Sequence, residues 1–180
     1  DAIDHLKTTI DFSKKIILVT GHRRESFGVG FENLCDSILE LSKKEAIEIV
    51  YPVHLNPNLQ DIVYNKLSGV KNIHLIAPLN YPSFVWLMSK ANLIISDSGG
   101  IQEEAPSLNV PVLVTRNTTE RDEGIEAKCS FLVGTNSIKI VKKALEVLDN
   151  NPSEKLRNPY GNGNASKRIV KFLSVLKNSM

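Results

Sequence analysis

Ser96-Asp97-Ser98-Gly99-Gly100-Ile101-Gln102-Glu103-Glu104 is the stretch whose residue types and spacing best suit chemistry. Two adjacent glycines let the backbone approach a ligand with no Cβ in the way. If they open a helix, free N–H groups and the positive end of the helix dipole face outward. With the Ser98 hydroxyl they would cradle a phosphate. A bare Ser-Gly-Gly fits an ordinary strand-to-helix turn capped by Ser98 equally well. Glu104 adds information. It lies four residues after Gly100, and helical side chains tilt toward the amino end, so its carboxylate would point at the same ligand. A carboxylate repels phosphate, so its fitting partner is a neutral diol such as that of a ribose. For Glu103 the better reading is plain compensation of the dipole.

A helix end contributes about 0.3–1 kcal/mol toward an anion, and about 2 at best. Micromolar binding requires roughly 8 kcal/mol. Cationic side chains must supply part of the difference, and Arg23, Arg24, Arg116 and Arg121 are the candidates. Any one of them alone reads as a solvated surface arginine; their clustering after strands raises the group. His22 follows a strand and a glycine, among arginines that would favour its neutral, hydrogen-bonding or proton-transferring form. His54 has the same placement one strand over. Tyr81 and Phe84 flank Pro82 at a helix start, where they would offer a face to a base or pack into the core. Gly28-Val29-Gly30 has Asn33 where a dinucleotide fingerprint needs its third glycine. Walker A, Gly-x-Ser-x-Gly and metal-spaced His/Cys patterns are missing from the sequence.

These residues need a scaffold that gathers them. Apolar runs at Ile16–Thr20, Ile47–Val53, Ile73–Ala77, Leu93–Ser96, Val110–Thr115 and Phe131–Val133 read as strands buried on both faces. Between them lie helices predicted near Phe31–Lys43, Asn58–Lys66, Ser83–Lys90, Ile101–Leu108 and Ser137–Asp149. In the last of these Ile138, Val141, Ala144, Leu145 and Leu148 form the expected apolar stripe. This rhythm predicts an α/β fold: a Rossmann-like, doubly wound parallel sheet of about six strands with helices on both faces. Such sheets bind ligands at the carboxyl ends of their strands. The polar loops named above then converge on one rim. Residues 1–15 read as a linker or the end of a preceding helix. Asn150–Asn164 reads as a long loop, and a final helix presents Ile169, Phe172, Leu173 and Leu176.

Composition narrows the partners. With 22 basic and 20 acidic residues the net charge is +2, too small to make nucleic acid the main partner. The apolar runs are too short to cross a membrane, and the amino terminus lacks a signal-peptide pattern. Cys35 and Cys129 make neither a metal spacing nor a disulfide framework, so both are expected to be small buried residues in a reducing cytoplasm.

Taken together, the motifs resemble the C-terminal half of the non-hydrolysing bacterial UDP-N-acetylglucosamine 2-epimerases, which have the two-domain GT-B fold. The resemblance runs from about Ile16 to Leu176. Its motifs are Thr20-Gly21-His22-Arg23-Arg24-Glu25-Ser26-Phe27-Gly28, Tyr51-Pro52-Val53-His54-Leu55-Asn56-Pro57, Asp97–Ser107, Thr118-Thr119-Glu120-Arg121 and Asn158-Pro159-Tyr160-Gly161-Asn162-Gly163. It implies that residues 16–180 form the UDP-binding domain. Ser98, Gly99 and Gly100 would hold the UDP phosphates, Glu104 the ribose hydroxyls, and the Leu79 backbone and Phe84 ring the uracil. Arg24 and Arg121 would hold pyrophosphate charge, and His22 would stand near the reacting sugar as the catalytic residue. Arg23, Glu25 and His54 would touch a second, activating UDP-sugar.

The implied reaction interconverts UDP-GlcNAc and UDP-ManNAc by eliminating UDP to an unsaturated sugar and adding it back. It uses no metal and no cofactor beyond the retained UDP, and it serves cell-envelope polysaccharide synthesis. The family's acid and base carboxylates lie on the N-terminal domain, so this half alone would bind UDP without turnover. The final helix would reach back to that domain, and the full-length enzyme would be a homodimer. Three positions depart from the family pattern: Asp122 for a usual Pro, Gly124 for a usual Ala, and Asn162 for a usual Asp. The extra carboxylate of Asp122 would weaken the hold of Arg121 on phosphate. A UDP-sugar domain of a GT-B glycosyltransferase, a hydrolysing epimerase and a non-enzymatic nucleotide-sugar sensor would use the same rim.

Overall fold

A computed structural model describes residues 2–21, 28–150 and 156–177. Six strands, β1 (Lys15–Thr20), β2 (Ile47–Pro52), β3 (Ile73–Ile76), β4 (Leu93–Ser96), β5 (Val112–Val114) and β6 (Ser130–Leu132), form one sheet in the order β3-β2-β1-β4-β5-β6. Every pairing is parallel. The order reverses between β1 and β4, so the connections leave that point in opposite directions and open a crevice at the strands' carboxyl ends. This is the doubly wound Rossmann-like architecture.

Alternation along the strands divides the core in two. Ile17 and Val19 of β1 face one way, with Ile49, Tyr51 and Ile95, under α2 (Val29–Ser42), α3 (Pro57–Leu67) and α7 (Ser137–Asn150). Ile16 and Leu18 face the other way, with Val50 and Ile94, under α4 (Tyr81–Lys90) and α5 (Gly99–Glu104) with its 3-10 extension Ala105–Leu108. The central strands need apolar side chains on both faces because both are covered. Each side chain fully buried this way stabilises by about 1.5–3 kcal/mol. Cys35 and Cys129 are free and buried, and burial raises the Cys35 thiol to about 11.

The observed elements depart from the expected ones in identifiable places. Within the first fifteen residues lies a helix, α1 (Ala2–Thr9), and Leu6 and Ile10 join the second core. Nearby, Phe12 meets Trp86 edge to face at 5.6 Å. Helices α3 and α4 begin earlier than expected, at Pro57 and Tyr81, because the Asn56 and Asn80 side chains cap the turns that contain Pro57 and Pro82. A short helix, α6 (Asp122–Glu126), interrupts what reads as loop. On α7 the buried face is Ile140, Ala144, Val147 and Leu148, while Ile138 is 76% exposed. Of the expected stripe, Ala144 and Leu148 are buried and Val141 and Leu145 pack partly against the core, so only Ile138 is corrected, and Ile140 and Val147 complete the buried face toward α2. The final helix, α8 (Ala165–Lys177), leaves Ile169, Phe172 and Leu173 exposed.

At the amino end of the sheet, Glu48 is buried between Lys14 (2.7 Å) and His74 (2.5 Å). Burial alone would raise the Glu48 carboxyl. The hydrogen bonds and charges of Lys14 and His74 outweigh it and hold the pKa below the ordinary value.

Candidate nucleotide site

Strand β4 ends at Ser96, and its carboxyl end delivers Asp97 and Ser98 to the rim before α5 begins at Gly99. Asp97 is buried, with its carboxylate against Gly21 at the end of β1. The turn is tied down from within, because the Ser98 N–H donates to Ser96 Oγ at 3.0 Å. Ser98 occupies the N-cap position, yet its hydroxyl makes no capping hydrogen bond. Ordinary capping therefore does not account for this serine, and its oxygen remains beside the two glycines.

Two side chains lean over those glycines. A Cβ added at Gly99 would lie 3.2–3.4 Å from the guanidinium of Arg121. One added at Gly100 would lie 3.8 Å from Glu104 Oε1 and from Ser98 Oγ. A side chain at position 99 would press on the guanidinium, which would have to give by a few tenths of an ångström. The backward tilt expected of Glu104 is the one observed. A cation and a carboxylate thus sit side by side over one turn: the first suits an anion, the second a hydroxyl pair.

Arg121 is held from several directions. Its Nε and one terminal nitrogen donate to Glu103 Oε1 at 2.9 Å, and its other terminal nitrogen pairs with Glu120 at 2.7 Å. Glu120 also takes Arg116 at 3.0 Å. The Glu120 carboxyl is held below its ordinary range by its own backbone N–H first; desolvation opposes this, and the hydrogen bond and charge of Arg116 and the charge of Arg121 add to the lowering. A guanidinium has five N–H donors. Among the described residues, these three contacts engage three of them. Glu103, expected to compensate the dipole, instead orients Arg121. Asp122 occupies the first turn of α6, where a carboxylate is favoured by the helix end; Glu103 and Glu120 are the carboxylates that clamp Arg121.

Beneath Arg121 runs a chain of hydrogen bonds. Fully buried Gln102 donates to the Ser98 carbonyl (3.3 Å) and accepts from Thr119 Oγ1 (2.8 Å), which in turn accepts the Arg121 N–H (3.2 Å). From the late loop, the Tyr160 hydroxyl donates to the Arg121 carbonyl at 3.3 Å. It passes where a Cβ on Gly124 would be, 2.6 Å from that position. Asn158 fastens the same loop to Ser107 at 2.6 Å. Sequence reasoning missed Gln102, Thr119 and Tyr160 as supports. The hint available was their place inside the motifs that carry the resemblance.

Ser98, Gly99, Gly100, Glu104 and Arg121 are therefore brought together. On the neighbouring wall, Leu79 and Phe84 are partly buried against the second core. Tyr81 between them is exposed and donates its hydroxyl to Glu104 Oε2 at 2.9 Å. This hydrogen bond, and then the Glu104 charge, raise the Tyr81 pKa and keep it a donor. His54 follows β2 and accepts the Asn56 N–H at 3.2 Å. Strand β1 stands between β2 and β4, so His54 is not part of the glycine turn. His22, Arg23, Arg24 and Glu25 lie outside the described residues. Among the described residues, no three His, Cys, Asp or Glu side chains gather as metal ligands, and no helix is long and apolar enough to cross a membrane.

Comparison with known proteins adds to this geometry. The family model described as UDP-N-acetylglucosamine 2-epimerase matches residues 2–174. The UDP-N-acetylglucosamine 2-epimerase of Yersinia pestis is 52% identical over 169 residues, which are 91% of this chain and 45% of that protein. Among solved structures, UDP-GlcNAc 2-epimerase from Neisseria meningitidis bound to UDP-GlcNAc superposes with a TM-score of 0.89 at 46% identity. The match covers 96% of this chain and 48% of that one. MnaA of S. aureus in its UDP co-structure gives 0.88 at 38% identity, covering 99% and 53%. The chain spans about half the length of the relatives it matches.

Proposed function

This chain belongs to the UDP-N-acetylglucosamine 2-epimerase family, and from that premise we propose that it is the UDP-holding, C-terminal half of a bacterial, non-hydrolysing epimerase that interconverts UDP-GlcNAc and UDP-ManNAc. In this reading the proton at C2 of the sugar leaves with the C1–O bond to UDP, and a double bond forms between those carbons. UDP then returns to C1 as a proton is delivered to the opposite face of C2. Negative charge grows on the pyrophosphate oxygens as UDP departs. Groups already aimed there favour the transition state without having to reorganise.

One observation carries the reading: the Arg121 guanidinium and the Glu104 carboxylate lean over adjacent glycines of a single turn. Ser98, Gly99, Gly100 and Arg121 hold the phosphates, and Arg24 adds charge. Glu104 accepts from the ribose hydroxyls, and Leu79 and Phe84 receive the uracil. His22 stands near the sugar, and Arg23, Glu25 and His54 serve a second UDP-sugar. The scheme calls for no metal and no further cofactor, since the released UDP stays bound. The exposed apolar side chains of α8 fit docking of the N-terminal half, which supplies the acid and base carboxylates and the larger part of a homodimer contact. Two buried free cysteines suit a reducing cytoplasm, and the product suits cell-envelope polysaccharide synthesis.

Calorimetric titration with UDP tests the site. The chain binds UDP, and Glu104→Ala weakens binding by about 1–3 kcal/mol, the cost of unmade hydrogen bonds. Equal affinity in the two proteins would remove the site. The chain alone is expected to leave UDP-GlcNAc unepimerised, and turnover by the purified 180 residues would overturn the division of labour.

A further inference from the structure

Tyr81 joins two walls that the sequence treats separately. It is the first residue of α4, in a turn fixed by the Asn80 side chain, which accepts the Ser83 N–H at 3.0 Å. Its ring is largely exposed, so core packing does not explain it. Its hydroxyl instead crosses to α5 and donates to Glu104 Oε2 at 2.9 Å. The second oxygen, Oε1, is the one that faces Gly100. A carboxylate without this partner would rotate about its terminal torsion, which is broad and roughly two-fold.

We propose that Tyr81 is a positioning residue that sets the sugar specificity of this site: by occupying Oε2 of Glu104 it aims Oε1 at the ribose hydroxyls, so that a ribonucleotide is preferred to its 2′-deoxy form. The proposal rests on the reading of the glycine turn as a UDP site. Three features support it. The phenol O–H donates, as an acceptor-only carboxylate requires. The helix start that carries it is tied by the Asn80 cap. The Glu104 carboxylate has lone pairs left after this bond to receive a diol.

The test is calorimetric titration of the chain with UDP and with 2′-deoxy-UDP, in wild type, Tyr81→Phe and Tyr81→Leu. Wild type is expected to prefer UDP by about tenfold, the effect of one hydrogen bond to a charged group. In Tyr81→Phe, UDP weakens by about fivefold while 2′-deoxy-UDP is unchanged, so the preference falls to about twofold. Tyr81→Leu shows the same fall. A packing role would weaken both nucleotides equally and leave the ratio alone. Tyr81→Phe retaining the tenfold preference overturns the role of Tyr81 and spares the site. A wild type that binds UDP without preference removes the ribose role of Glu104 and this proposal with it. A wild type that binds neither nucleotide removes the site itself.

Discussion

Glu48 and Arg121 are both charged side chains gripped by two partners, at opposite ends of one sheet, and they do different work. Glu48 is 5% exposed, and its partners Lys14 and His74 belong to the segment before β1 and to β3. The Arg121 side chain is 29% exposed, and its partners Glu103 and Glu120 are 44% and 51% exposed. A buried charge that loses its partner is left in a poor solvent, whereas an exposed pair gains little over hydration. The amino-end cluster therefore holds the sheet together. The carboxyl-end cluster contributes little to stability and holds its guanidinium over Gly99. A cleft of about 660 Å³ opens beside Glu48, yet Glu48, its most buried charge, is already matched there.

The contrast can be broken from either side. Glu48→Ala removes the partner of Lys14 and His74 and should cost about 1–3 kcal/mol of stability in denaturant unfolding, with UDP affinity unchanged in calorimetry. The pH dependence sharpens the same point. Because the folded pKa of Glu48 is depressed, its contribution is fully present above the unfolded value of about 4.3 and is lost as pH falls through the folded value. Unfolding curves between neutral pH and about 3 should show this loss in wild type and a smaller one in Glu48→Gln. Equal slopes would refute the assignment.

Arg121→Ala is the converse case. UDP affinity should fall by about 2–3 kcal/mol, as for a lost charge-assisted contact, while stability changes by less than about 1 kcal/mol. A variant that unfolds as readily as Glu48→Ala would erase the distinction between the two clusters. Ser98→Ala should weaken UDP by about 1–2 kcal/mol if its uncommitted hydroxyl meets a phosphate. The smallest effect is expected from Gly124→Ala. The new methyl must displace the Tyr160 hydroxyl, the mobile end of a side chain, and the loss should be about 0.5–1 kcal/mol in stability. A gain in stability would mean that the Tyr160 contact with Arg121 is not a support.

The elements that sequence reasoning located well were those whose two-sided burial leaves no alternative, such as Ile16–Thr20 and Leu93–Ser96. The apolar face of α7 was less legible. The expected stripe, Ile138, Val141, Ala144, Leu145 and Leu148, and the buried set, Ile140, Ala144, Val147 and Leu148, both repeat at helical spacing; Ala144 and Leu148 are shared, Val141 and Leu145 pack at the margin, and contact with α2 centres the face on the second. Helix α6 is five residues with a glycine inside, below the length at which periodicity carries a signal. In the site, Ser98, Gly99, Gly100 and Glu104 were legible because they share one turn and one helix. Beyond its neighbours Thr119 and Glu120, the supports of Arg121 come from 17–39 residues away along the chain, through Thr119 on Gln102, Glu103 and Tyr160. No local pattern encodes those contacts. Ser98 departs from its expected capping role, and a polar group left without its ordinary local partner is itself a clue to a ligand.

Position 99 has a genetic consequence. Any one-base change that alters a glycine codon either truncates the protein or installs a β-carbon. At this position a β-carbon comes within 3.2 Å of the Arg121 guanidinium. Point mutation at this codon therefore strikes two functions together, the turn and the cation above it. A saturation library at residue 99 should be far poorer in UDP-binding clones than one at Gly69, where a β-carbon meets nothing within 4 Å and the cost is confined to backbone strain.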